Sequence, residues 1–242
     1  MDGPVGTIVL NNPDRHNAIS GEMFAGFGDA AAAFSANSDL RVVVMTGAGD
    51  RAFASGADIG GLTDRTSRPS GLPALAGLGL PIVARIKGYC IGGGMALAVC
   101  CDIRLCTESS RFGVPAAKLG VGYGYAGIKR LTQLVSVAHA KEIFYTARQF
   151  DAHEAFAMGL VNRVLPDAEL DDYANDYLNR ISANAPLTLA SVKAITLAIE
   201  QNESERDHEK LDAMVADCFN SEDYIEGRRA FMEKRKPEFK GM

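Results

Sequence analysis

The sequence predicts an α/β fold built on a mostly parallel sheet, followed by a mainly helical second half. Three observations carry this expectation: apolar β-branched runs alternate with helical stretches through the first half, strong breakers separate them, and beyond Pro115 apolar residues recur at helical spacing.

Residues 5–10 read as a strand, because Val5, Ile8 and Val9 favour the pleated conformation while Asn11, Asn12, Pro13 and Asp14 cannot prolong it. Ser20 stands three residues before Met23 and opens an alanine-rich helix over 20–37. Residues 41–46, Arg-Val-Val-Val-Met-Thr, read as a fully buried strand stopped by Gly47 and Gly49. The order repeats with a strand at 81–87, a helix at 92–100 and a strand at 102–106. Helices are expected over 127–135, 138–147, 152–158, 170–183, 187–200 and 222–235, the last closed by Pro237. The charge, Ser, Pro and Gly of residues 63–71 predict a mobile loop near the site. No Pro/Ser-rich linker interrupts the chain, so 1–242 read as one domain, with an α/β core over 1–185 and a helical region over 186–242.

At 47% hydrophobic and 23% charged residues, 242 residues can bury an ample core. The net charge of -5 opposes binding to a phosphate backbone, so no nucleic-acid partner is expected. Membrane insertion is not expected either, because the most apolar region, 89–106, is broken by Gly92, Gly93, Gly94, Asp102 and Arg104. The absence of CxxC spacing makes Cys90, Cys100, Cys101, Cys106 and Cys218 buried free thiols, and no signal peptide precedes the first strand, which suits a cytoplasmic protein. His16, His139, His153 and His208 lack metal-ligand spacing, so no metal or bound cofactor is expected.

Two glycine-bearing turns stand out. Ala54-Ser55-Gly56-Ala57-Asp58-Ile59 follows the valine-rich strand, and Gly92-Gly93-Gly94 follows the strand at 81–87. Glycines there let the backbone approach a ligand and leave N–H groups unpaired, which suits negative charge. Either turn alone is as readily a structural connection; two converging N–H groups make an oxyanion hole.

With these turns, the segments Asn11-Asn12-Pro13 to Asn17-Ala18, Gly88-Tyr-Cys-Ile-Gly-Gly-Gly94, Arg111-Phe-Gly113, Gly159-Leu-Val-Asn162 and Phe231-Met-Glu-Lys-Arg-Lys-Pro237 closely resemble the crotonase superfamily over nearly the whole chain. The resemblance implies a crotonase-type spiral of ββα units with a helical C-terminal region, trimers or dimers of trimers assembled through 186–242, and an acyl-coenzyme A thioester as substrate. By the same analogy the backbone N–H groups of Ser55 and Gly93 form the oxyanion hole for an enolate. Arg15, Ala54, Asp58 and Ile59, with Phe231 and Lys234 from a neighbouring subunit, would bind coenzyme A.

The family's hydratases carry two glutamates where this chain has Ala96 and Ala116. A methyl group moves no proton, so ordinary syn-hydration is not expected. Tyr123 and Tyr125 remain nearby, either as packing rings or with Tyr123 delivering a proton. Asp58 reads as a turn residue and Lys118 as a solvated charge. Leu119-Gly-Val-Gly-Tyr123 is similar to methylmalonyl-CoA decarboxylase within the superfamily, whose reaction makes its enolate by loss of CO2 and needs no base. That enzyme's first turn has a histidine, and Ser55 to Asp58 offers none. A catalytically silent acyl-CoA binder is the alternative from another class.

Overall fold

The computed structural model describes residues 3–58 and 71–242. The chain runs β1 (Val5–Leu10), α1 (Gly21–Ser35), β2 (Val42–Gly47), β3 (Ala52–Ala54), α2 (Leu72–Ala76), β4 (Ile82–Ile86), β5 (Tyr89–Ile91) and α3 (Gly93–Cys100). It continues with β6 (Ile103–Thr107), β7 (Arg111–Gly113), α4 (Ala116–Leu119), α5 (Tyr125–Leu134), α6 (Val137–Thr146), β8 (Phe150–Asp151), α7 (Ala152–Ala157) and β9 (Arg163–Leu165). Four helices close it: α8 (Leu170–Ser182), α9 (Pro186–Ile199), α10 (His208–Asn220) and α11 (Glu222–Glu233).

Strands β1, β2, β4, β6 and β9 form a five-stranded parallel sheet in that order, and β3, β5, β7 and β8 form a second, four-stranded sheet in which only the β7–β8 pair is antiparallel. Each turn of chain places one strand in each sheet and then a helix: β2-β3-α2, β4-β5-α3, β6-β7-α4. This is the spiral of ββα units. Gly88, at φ +62°, makes the corner between β4 and β5, and a methyl group there would lie 2.0 Å from the Arg51 carbonyl.

The burial of β2 explains why it lacks alternation. Val43 and Met45 face a core with Phe27, Phe34 and Phe53, whereas Val42 and Val44, with Val83 and Leu105, face Leu170, Ala174 and Leu178 of α8. A parallel sheet covered on both faces needs apolar residues at every position. Ser20 caps α1 as expected, accepting from the Met23 N–H at 3.2 Å.

The second half holds more than helices, since β8 and β9 extend the two sheets. Helix α11 also ends before the expected stop: Lys234 takes φ +54° as its left-handed cap, three residues ahead of Pro237, and the tail folds back so that Asp223 accepts from the Lys240 and Gly241 N–H groups at 2.7 and 2.8 Å. The loop expected over 63–71 falls, up to residue 70, outside the described residues. Among the described residues no single helix is long and apolar enough to cross a membrane; the chain turns by 101° between α8 and α9.

Glu226 organises the C-terminal helix. Its carboxylate accepts from Arg235 at 2.6 and 2.9 Å, from Arg229 at 2.5 Å and from the Glu238 N–H at 3.1 Å, and these donors, Arg235 foremost, hold its pKa far below the usual glutamate value. A depressed folded-state pKa gives stability that is present above the unfolded value of about 4.3 and lost as pH falls towards the folded one. Hydrogen exchange in α11 should therefore accelerate selectively as pH drops below about 4. In Glu226→Gln that pH-dependent step should be absent; its persistence would refute the assignment.

Candidate active site

The ends of β3 and β5 bring the two glycine turns into contact. Gly56 adopts φ +119° and Gly92 φ +54°, conformations that disfavour any side chain. A methyl group on Gly94 would lie 2.2 Å from the Ala54 carbonyl oxygen, and one on Gly93 would lie 3.0 Å from the Ala57 nitrogen. Only glycine fits at 94, and the backbones of 93 and 57 are neighbours.

Gly93 is the first residue of α3, so its N–H has no intrahelical acceptor. At the other turn the Gly56 carbonyl accepts from the Ile19 N–H at 2.8 Å, and the Asp58 N–H donates to the Ile19 carbonyl at 2.9 Å. Bridging of this kind uses alternate groups. The Ala57 N–H between them meets no acceptor among the described residues.

Ser55 does not supply the donor that the resemblance implied. Its N–H donates to the His16 carbonyl at 2.9 Å and its Oγ to the Arg15 carbonyl at 3.0 Å, so the residue clamps the turn at Pro13–Arg15 against β3. Asn17 reinforces the clamp from a buried position, donating to the Ala52 and Ala48 carbonyls at 2.7 and 3.0 Å while its Oδ1 accepts from Asn12 at 3.0 Å. Ala54 is fully buried with its carbonyl against Gly94, and offers coenzyme A no side-chain surface.

Beside α3 opens a cavity of about 520 Å³, whose apolar wall includes Met95, Ala96, Val99, Val114, Phe144 and Leu197. Ala96 lies three residues after Gly93 and therefore on the same helix face. Tyr123 also lines this cavity; its ring packs edge-on against Phe144 at 4.8 Å between centroids, and burial pushes its phenol pKa upward. The hydroxyl is therefore protonated throughout the neutral range.

Two expected pocket residues are placed elsewhere. Tyr125 is 81% exposed, because the extended Gly124 turns the chain outward into α5. Ala116 is 6% exposed at the start of α4 and is not part of the cavity wall.

Arg15 and Asp58 pair at 2.8 Å beside the clamp, tying the carboxylate of the turn to an exposed guanidinium. Ile59 lies outside the described residues. Phe231, 86% exposed on α11, lines a different cavity of about 670 Å³ with Val215, Phe219 and Met232, and Lys234 caps the same helix. Within one chain neither joins the turns.

The acidic side chains on the wall of the cavity beside α3, among the described residues, are Glu200 and Glu205. Glu200 pairs with Arg130 at 3.5 Å, and Arg130 lies against the Cys100 thiol at the C-terminal end of α3. Burial pushes that thiol's pKa up, leaving it neutral. No group of three or more His, Cys, Asp or Glu among the described residues could hold a metal ion.

Sequence reasoning missed Ala57, Arg130 and Phe144. Ala57 gave no local signal, because its N–H is left open by the bridge to Ile19, in which Gly56 and Asp58 make the hydrogen bonds. Arg130 and Phe144 gave no local signal, because α5 and α6 become cavity walls only when packed on α3.

A spiral of ββα turns that sets side by side two backbone N–H groups without an acceptor among the described residues, next to a largely apolar cavity, defines a class of α/β enzyme fold. The family profile described as "Enoyl-CoA hydratase/isomerase" matches residues 2–242, and the chain belongs to that family, within the crotonase superfamily. It is similar to the carnitinyl-CoA dehydratase of Salmonella agona (strain SL483), 34% identical over 99% of this chain and 96% of the relative. The short-chain-enoyl-CoA hydratase of Clostridium acetobutylicum is 31% identical over 98% and 94%. Among solved structures, an enoyl-CoA hydratase/carnithine racemase from Magnetospirillum magneticum superposes with a TM-score of 0.92 at 36% identity, covering 100% of this chain and 94% of that one. The enoyl-CoA hydratase from Bacillus anthracis gives 0.87 at 30%, covering 99% and 96%.

Proposed function

We propose that this chain acts on an acyl-CoA thioester by receiving the negative charge of an enolate oxygen at the backbone N–H groups of Ala57 and Gly93. The observation that carries this reading is the close approach of the two backbones, such that a methyl group on Gly93 would lie 3.0 Å from the Ala57 nitrogen, with neither N–H group meeting an acceptor among the described residues. Enolate formation beside a thioester moves charge onto oxygen, and fixed donors gain strength as that charge grows.

Hydration of the usual kind is not part of the proposal. With Ala96 facing the cavity and Ala116 buried, no carboxylate stands at either position to activate water. Asp58 is engaged by Arg15. Decarboxylation of a malonyl-type thioester is the second reading, favoured by the protonated Tyr123 hydroxyl on an apolar wall: loss of CO2 makes the enolate without a base, and the phenol supplies the proton.

The exposed C-terminal face, with Phe219, Ile225, Phe231 and Met232, supports a homotrimer or dimer of trimers assembled through 186–242. In that assembly Phe231 and Lys234 would reach a neighbour's coenzyme A, while Arg15 serves its own.

The test is incubation of the protein with a panel including crotonyl-CoA and methylmalonyl-CoA, followed by mass spectrometry. Turnover of at least one thioester with crotonyl-CoA not hydrated is the expected pattern, and loss of CO2 from methylmalonyl-CoA would select the second reading. A gain of water by crotonyl-CoA would overturn the assignment of Ala96 and Ala116, and binding without turnover of any thioester would make the chain a silent binder.

A further inference from the structure

The cavity beside α3 has a charged end that the proposed chemistry does not use. Helix α3 is its ruler: Gly93 stands at the helix start, Ala96 lies midway on the wall, and Cys100 closes the far end. At 1.5 Å per residue, the first and last of these are about 10 Å apart along the axis. Arg130, from α5, reaches the Cys100 end with a side chain that is mostly buried.

Its commitments there are slight. Among the described residues the guanidinium meets one carboxylate oxygen of Glu200, at 3.5 Å, and a neutral thiol. Most of the five N–H donors of its planar fork thus have no protein partner among the described residues, at an end of the cavity where Lys129 and Arg130 face Glu200 and Glu205. A guanidinium with donors open to the cavity can take a bidentate anion, the group whose geometry matches its fork.

Resting on the acyl-CoA reading, we infer that the acyl group carries a carboxylate at the end remote from the thioester, and that Arg130 recognises it. Arg130 is then a specificity-determining residue: the N–H pair holds one end of a short dicarboxylic monothioester and the guanidinium reads the other. Glu200 acts against this binding, because it competes for the same fork and repels the incoming anion.

The experiment is calorimetric titration of the full chain with glutaryl-CoA and valeryl-CoA, which have the same number of acyl carbons and differ in the terminal carboxylate. Wild type should bind glutaryl-CoA at least about 10-fold more tightly, the discrimination that a hydrogen bond to a charged group provides. Arg130→Met should abolish the preference and leave valeryl-CoA affinity unchanged. Glu200→Gln, which keeps the arginine and removes its competitor, should widen the preference. Equal affinity for both thioesters in wild type, or an undiminished preference in Arg130→Met, would overturn the inference while leaving the acyl-CoA reading intact. Tighter binding of 4-(trimethylammonio)butyryl-CoA than of either would assign the cavity end to a cation and overturn it as well. If none of the three thioesters binds, the acyl-CoA reading itself falls.

Discussion

Replacing Gly93 by proline should cut turnover of the active thioester by about 100- to 1,000-fold, the loss that accompanies removal of one oxyanion donor. Proline suits the first position of a helix and lacks the N–H, so α3 should survive while the donor disappears. The added ring atoms would also crowd the Ala57 nitrogen, since even a single methyl group at residue 93 would lie 3.0 Å from it. Gly93→Ala separates the two effects: it places a Cβ at the same point and keeps the donor. Its activity should therefore exceed that of Gly93→Pro by at least about 10-fold. Steady-state rates for both variants, with coenzyme A binding and far-ultraviolet dichroism as controls for the fold, decide the matter. Equal rates in the two would remove Gly93 from the chemistry.

The second large effect is on stability. Lys193→Ala should cost about 2 kcal/mol, because it removes a buried ammonium and its charge-assisted hydrogen bonds to the Leu80 carbonyl and Asp102. Lys193 is a polar pin between α9 and the core: its side chain is 5% exposed, and Nζ donates to the Leu80 carbonyl at 2.7 Å and to Asp102 at 2.9 Å. Asp102 in turn accepts from the Ile82 N–H at 2.6 Å, where β4 begins. About a third of the Asp102 side chain remains exposed, so water solvates the carboxylate left behind and the loss stays below that of a fully buried pair. In urea denaturation the double variant Lys193→Met with Asp102→Asn should recover part of the loss, since neither residue then leaves an orphaned charge. A loss below about 1 kcal/mol for Lys193→Ala would mean that water reaches the pair.

The long elements of the fold were legible in the sequence because burial writes itself into them. The unbroken Val42–Met45 run reflects a sheet covered on both sides, and Ser20 marks the start of α1. The second sheet was less legible. Its strands are two or three residues long, too short for any periodicity, and are held by pairing with distant chain rather than by local preference. The site divided along the same line. Gly93 could be read because glycine is a local requirement, whereas the choice between the Ser55 and Ala57 N–H groups depended on hydrogen bonds to His16 and Ile19, some forty residues away in sequence. Likewise Tyr123 and Tyr125 look equivalent in the sequence, yet one faces the cavity and the other faces solvent.

The contact between Gly94 and the Ala54 carbonyl has a consequence for how such a chain can diversify. Where no side chain intervenes, the spacing of the two turns is set by main-chain atoms alone, and sequence drift has nothing there to alter except by breaking the fold. Positions around it, such as Ala96 and Tyr123, are side chains on a cavity wall and are free to change. The electrophile-activating end can thus be inherited unchanged while substitutions along the wall exchange one reaction for another.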